Sequence, residues 1–186
     1  MSKECLHAYT QEVLKFRKGL NLTSISQASV FDKRFIQPSV ALAKWMPDEG
    51  RLLDIGSGMG VPGIPLLMMK PNLHGVLVER RKKRAEFLRH LRRKFTLKLD
   101  VYDADINDLP CLNIDICVAR AVTRIEDLLL MCSQHVNPHA IAIFPVPREQ
   151  AAVAVEGWVL EAVHDVRAVE SQQIQCYRWE GVSRET

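Results

Sequence analysis

A chain of 186 residues, 47% hydrophobic and 25% charged, can build one domain with a full core and a short appendage. No apolar run approaches the roughly 18 residues of a membrane-crossing helix, and the N-terminus lacks the apolar stretch and cleavage site of a secretory signal. The net charge of +3 hides an asymmetry: residues 80–94 hold nine Arg or Lys and one Glu, so the rest of the chain is acidic and the cationic patch points to a polyanion partner.

In chain order, residues 4–18 read as a first helix, with Leu6, Tyr9, Val13 and Leu14 on one side. Asn21-Leu22-Thr23-Ser24 breaks it. Residues 28–46 read as a second helical segment, interrupted near Pro38, and 47–50 as a turn. Residues 1–50 therefore form a helical cap. From residue 51 the rhythm changes. Strands are expected at 51–55, 74–79, 98–102, 114–118 and 140–144, and helices at 63–70, 80–94, 124–136 and 147–155. Strands alternating with helices predict an α/β fold with a mostly parallel sheet covered on both faces. Residues 158–169 and 172–179 then read as a closing antiparallel hairpin. The second unit, 51–186, thus carries seven strands.

Cys5, Cys111, Cys117, Cys132 and Cys176 are scattered, odd in number and free of any Cys-x-x-Cys pair. They read as reduced cytoplasmic thiols, mostly small core hydrophobes. The six histidines show no metal-ligand spacing, so no metal is expected. Trp45, Trp158 and Trp179 read as packing residues. No Ser-His-Asp or Cys-His arrangement stands out, so no covalent nucleophile is named.

The chemistry concentrates in residues 52–65, Leu-Leu-Asp-Ile-Gly-Ser-Gly-Met-Gly-Val-Pro-Gly-Ile-Pro. An apolar strand ends in an acid, and glycines lead into a helix. Gly56, Gly58 and Gly60 permit a tight turn and a close backbone approach to a ligand. No Gly-Lys-Ser/Thr follows, which excludes a triphosphate loop. With Glu79 ending the next apolar run, the pattern is a nucleoside-cofactor pocket. Asp54 could orient the loop or meet the cofactor through water, or simply brace the loop. Glu79 suits the paired ribose hydroxyls, or is an ordinary first-turn acid. Among Asp103, Asp105 and Asp108 of the loop after the third strand, Asp105 leads as acceptor for an adenine amine, with Asp108 next. Arg120 follows an apolar strand, where doubly wound sheets expose their ligands. Arg124 lies one turn further on. Both could instead pair with Glu126 or Asp127.

Asn21-Leu22-Thr23-Ser24, Leu53-Asp54-Ile55-Gly56-Ser57-Gly58-Met59-Gly60-Val61-Pro62-Gly63-Ile64-Pro65, Arg84-x-x-Phe87-Leu88 and Arg120-Ala121 together resemble the bacterial RsmG (GidB) family, from about residue 9 to 179. The resemblance implies a Rossmann-like class I methyltransferase using S-adenosylmethionine. It implies a substrate of guanine N7 in the 530 loop of 16S ribosomal RNA, free or in a small-subunit precursor. A monomer acting in the cytoplasm, away from membranes, is expected. The cofactor-binding residues are then Asp54, Gly56, Ser57, Gly58, Gly60, Pro62, Glu79, Ala104, Asp105 and Arg120. Arg120 is also the catalytic candidate, and Arg34, Arg89, Arg92, Arg93 and Arg124 are the RNA-binding candidates. N7 carries an in-plane lone pair and no proton, so its methylation needs positioning rather than a general base. The chain departs from the family pattern at several points. It has Arg34-Phe35 for Arg-His, Val61 for Phe and Asp105 for Arg. It has Ala119-Arg120-Ala121-Val122-Thr123 for Ser-Arg-Ala-Phe-Ala, and Phe144-Pro145-Val146 for Leu-Lys-Gly. Three rivals stay open: a methyltransferase with a small-molecule or protein substrate, an RNA-binding module of the ribosome without turnover, and a nicotinamide oxidoreductase, which the short chain and closing hairpin disfavour.

Overall fold

The computed structural model of the protein describes residues 3–120, 123–165 and 172–181. Helix α1 (Lys3–Phe16) buries Tyr9 and Val13, one turn apart, and ends just short of the expected 18. The second helical segment is divided into α2 (Ala28–Phe31), a wider π turn (Asp32–Ile36), α3 (Gln37–Leu42) and a tight 3-10 turn (Ala43–Trp45). Pro38 sits in the first turn of α3, directly after the π turn, and the helical run continues through it without a break.

The remaining order is β1 (Glu49–Ile55), α4 (Gly63–Met69), β2 (Asn72–Val78), α5 (Lys82–Phe95), β3 (Leu99–Tyr102), β4 (Ile114–Ala119), α6 (Ile125–Ser133), β5 (Val136–Pro147), β6 (Trp158–Asp165) and β7 (Gln172–Trp179). The strands form one sheet in the order β3-β2-β1-β4-β5-β7-β6. The first five strands are parallel, and β7 runs antiparallel to both β5 and β6. The order reverses between β1 and β4. That reversal opens a crevice at the carboxyl ends of the strands, where ligands bind in such sheets.

Alternation along the strands sends side chains to two faces. Leu52, Leu77, Ile116 and Val118 join Tyr9, Phe31, Ile64 and Leu88, so the N-terminal helices, α4 and α5 share one core with that face. Leu53, Ile55, Val76 and Cys117 face Ile125, Leu128, Leu129 and Trp158 on the other. Helix α5 turns Ala85, Phe87, Leu88 and Leu91 inward. Its buried neighbour Glu12 accepts from His90 at 2.7 Å and pairs with Lys94, tying α1 to α5.

The helix expected at 147–155 does not form. Strand β5 runs on to Pro147, a turn follows, and 150–154 have no regular structure. Side chains of β7 intercept the backbone groups a helix would use. The Gln150 carbonyl accepts from Gln173 and Gln175, and the Val153 N–H donates to the Tyr177 hydroxyl. The expected hairpin is present as β6 and β7; residues 166–169, expected within it, lie outside the described residues.

Candidate active site

Ile55 and Val78 are register partners at the ends of β1 and β2, so the next residues, Gly56 and Glu79, emerge side by side. Both line a cavity of about 450 Å³ with Val78, Arg80, Arg81, Ala104, Asp105, Ile106, Thr123 and Met131. The Glu79 carboxylate is almost fully buried. One oxygen accepts from the Gly58 N–H at 2.9 Å, the other from the Arg81 N–H at 2.8 Å. A carboxylate offers about four lone-pair sites, so one on each oxygen is left for a pair of hydroxyl donors.

The glycine loop divides its labour. Gly56 and Gly58 have φ of 65° and 57°, and nothing stands closer than 3.7 Å to a Cβ built on Gly58. That leaves room for a ligand to approach the backbone. Gly60 serves packing: its Cβ would lie 2.4 Å from Ile64. Ser57 is buried and donates to the Asp54 carbonyl, so its hydroxyl braces the loop and does not face the cavity. Pro62 is likewise buried, capping the start of α4.

Asp54 points behind the loop, fully buried. Its Oδ2 accepts from the Gly63 N–H at 2.9 Å, and its Oδ1 has no partner among the described residues. Burial, reinforced by the charge of Glu79 and opposed by the Gly63 and Ser57 hydrogen bonds, pushes the carboxyl from 3.8 to about 7. The folded protein therefore holds this proton more tightly than the unfolded chain. The associated stability is full below the unfolded value and is lost as pH rises through about 7. Asp54→Asn removes the ionisation while keeping an acceptor for Gly63. It is expected to be stabilising relative to the parent by roughly 2–3 kcal/mol more at pH 8 than at pH 5, read by urea unfolding. Equal differences at both pH values would exclude the ionisation.

The loop after β3 places Asp105 on the cavity. Its Oδ1 accepts from the Asn107 N–H, which with the Arg80 charge holds the carboxyl below its ordinary range, and Oδ2 accepts from Arg80 at 3.2 Å. Asp103 turns away to Arg89, and Asp108 is exposed and does not line the cavity. The buried His135 directs its two ring nitrogens at the carbonyls of Pro110 and Ile106, pinning this loop from below.

A wider cavity of about 740 Å³ opens at the ends of β4 and β5 and shares Thr123 with the first. Arg120 lines this wider cavity and not the narrower one. Its guanidinium lies 4.7 Å from the centre of the Phe35 ring. Burial and the nearby charge of Arg34 pull it down to about 10, so it stays protonated at neutral pH. Arg34 lies 5.9 Å from the centre of the same ring. Neither arginine has a carboxylate partner among the described residues. Arg124 lines the cavity too and pairs with Asp127 at 3.3 Å.

The cations of α5 are not equivalent. Arg89 is half-buried and held by both Glu86 and Asp103 at 2.6 Å, so it is not a free phosphate ligand. Arg84 reaches the Asn21 carbonyl. Arg81, Lys82, Lys83, Arg92 and Arg93 are exposed, with no ion pair from their side chains among the described residues. Thr123, Met131, Phe35, Gln150 and Gln172 line the cavities and carry no sequence motif.

Comparison with known proteins places this geometry. Solved structures that share the fold include a putative methyltransferase, yhhF, from Escherichia coli, at TM-score 0.62 and 14% identity, covering 78% of this chain and 85% of that one. TYW2 from P. horikoshii, in complex with MeSAdo, aligns at TM-score 0.62 and 16% identity, covering 79% and 63%. A relative named ribosomal RNA small subunit methyltransferase G from Desulfotalea psychrophila is 34% identical over 168 residues, 86% of this chain and 77% of its own. Another of that name from Cereibacter sphaeroides is 32% identical, covering 86% and 82%. The family model GidB, rRNA small subunit methyltransferase G, matches residues 2–152. The chain that carries this glycine loop, the buried acid beside it and the arginine-lined cavity therefore belongs to the rRNA small subunit methyltransferase G family.

Proposed function

We propose that the protein transfers a methyl group from S-adenosylmethionine to N7 of a guanine in the 530 loop of 16S ribosomal RNA. One observation carries the choice of atom: among the described residues the wider cavity is lined by arginines, glutamines, Thr123 and apolar side chains, with no carboxylate. Methylating an exocyclic amine calls for an acceptor of its proton, whereas N7 offers a lone pair and no proton.

The residues present fit the cofactor. Val78, Ile106 and Met131 supply apolar walls for an adenine ring, and Asp105 an acceptor for its amine. Glu79 keeps two free lone pairs for the ribose hydroxyls, and Gly56 and Gly58 let the methionine portion lie against the backbone. When bound, S-adenosylmethionine supplies an electrophilic methyl group on a sulfonium. The protein's task is to hold the guanine at the shared Thr123 wall, N7 foremost. Arg120 offers its guanidinium plane for stacking and its N–H groups for a phosphate, with Arg34 beside it.

RNA docking falls to the unpaired cations. Lys82 and Lys83 open α5 beside the narrower cavity, while Arg92 and Arg93 lie about 15 Å further along the helix axis. Lys82→Glu with Lys83→Glu is expected to weaken RNA binding and flatten its salt dependence by one to two phosphates' worth of slope. A filter-binding titration from low to high salt checks this, and an unchanged slope would move the footprint elsewhere. On this reading the protein acts as a monomer on cytoplasmic ribosomal RNA; no helix among the described residues is long and apolar enough to cross a membrane. The decisive experiment follows labelled methyl from the cofactor into 16S RNA and into assembled small subunits and maps the modified atom. Label on another base position, or on a protein or small molecule, would sink the proposal.

A further inference from the structure

Among the described residues, the polar side chains around the wider cavity are Arg34, Arg120, Thr123, Arg124, Gln150 and Gln172. Arginines only donate. Thr123 spends its hydroxyl hydrogen on Asp127. Thr123 keeps its acceptor lone pairs but sits on the wall shared with the narrower cavity, so among the described residues the side-chain acceptors on the rest of the lining are those of the two glutamines. Strand β7 has three glutamines, and two are already committed. Gln173 and Gln175 both donate to the Gln150 carbonyl, and the Gln175 oxygen accepts from Tyr177. Gln172 differs. Its Oε1 is buried and has no hydrogen-bond partner among the described residues. A buried carbonyl oxygen left without a donor is unfavourable unless a ligand supplies one.

Its place in the sheet fits a purine. Gln172 pairs with Pro147 at the carboxyl end of β5, and β5 lies next to β4, whose end leads to Thr123. The lateral span from β4 to β7 is two strand spacings, about 10 Å. A guanine reaches that far from N7 to its exocyclic amine with one hydrogen bond of about 3 Å added. N7 is then at the wall shared with the cofactor cavity, and the Watson–Crick edge is at β7.

We propose that Gln172 reads the target base: its Oε1 accepts a hydrogen bond from the exocyclic N2 amine of guanine while N7 faces Thr123. This rests on the guanine-N7 reading above and adds to it the residue that selects the base. Adenine has no amine at that position and turns a ring-nitrogen acceptor towards the same edge, so Gln172 would reject it. A site built around a substrate N–H discriminates strongly against an analogue that lacks it.

The test compares target RNA carrying guanosine at the modified position with RNA carrying inosine, which lacks only the N2 amine. The native protein is expected to methylate the guanosine RNA about tenfold faster under single-turnover conditions. Gln172→Leu should lose that preference and methylate both at nearly one rate. Gln172→Glu keeps an acceptor oxygen and should retain the preference. Cofactor binding by each variant, measured by calorimetry, reports that it is folded. A merely structural role would slow both RNAs together and leave the ratio intact. An unchanged ratio in Gln172→Leu, with N7 transfer intact in the native protein, overturns this inference alone. Native methyl transfer mapped to another atom overturns the functional proposal, and this inference with it.

Discussion

Replacing Arg120 with alanine is expected to slow methyl transfer about a hundredfold while RNA affinity falls only a few-fold. The two effects separate because Arg120 contributes little to the bulk charge that attracts RNA. That charge sits on α5 and is many cations strong, whereas Arg120 is recessed just past the end of β4 with its guanidinium over the Phe35 ring. Its contribution is geometric: a planar donor set held in place by an aromatic ring, beside the wall that the two cavities share. Misplacing a reacting atom by about 1 Å can cost two orders of magnitude in rate. Arg120→Lys keeps the charge but loses the plane and the fork, so it should stay at least about tenfold impaired. Single-turnover transfer with saturating protein measures the step directly, and parallel filter binding gives the affinity. Normal single-turnover transfer in Arg120→Ala would make the residue structural and would remove the wider cavity's claim to the target base.

Much of this was legible in the sequence because the signals were local. Strands β1, β2 and β4 are short apolar runs between polar turns, and the acid–glycine sequence after β1 could serve few purposes other than a ligand loop. Glu79 was legible for the same reason, by its place at the end of the next strand. What failed to show depends on partners distant in sequence. Residues 147–155 look helical until Gln173 and Gln175, more than twenty residues on, take the Gln150 carbonyl. Arg89 looks like one more free cation until β3 delivers Asp103 to it. Ser57 and Gly60 belong to the glycine motif, yet one braces Asp54 and the other makes room for Ile64. Thr123, Met131 and Gln172 have no motif at all. Their place on the cavity walls comes from sheet order, which joins β4, β5 and β7 across wide stretches of chain.

The acid at the end of β2 should matter as much to cofactor binding as Arg120 does to transfer. Glu79→Ala is expected to weaken S-adenosylmethionine binding about a hundredfold, on the order of 3 kcal/mol. Two losses combine. The ribose hydroxyls lose their acceptor pair, and the N–H groups of Gly58 and Arg81 lose the carboxylate that orients the loop and the approach to α5. Glu79→Gln keeps one acceptor oxygen but turns an amide donor towards the other N–H, so it should recover only part of the affinity. Calorimetry with S-adenosylmethionine and S-adenosylhomocysteine separates the possible causes. Both ligands carry the same ribose, and only the first carries a sulfonium. If Glu79 acts through the hydroxyls and the loop, the two affinities fall by the same factor. A loss confined to S-adenosylmethionine would mean that Glu79 acts as a charge opposite the sulfonium, and the narrower cavity would then not hold the ribose where its lone pairs place it.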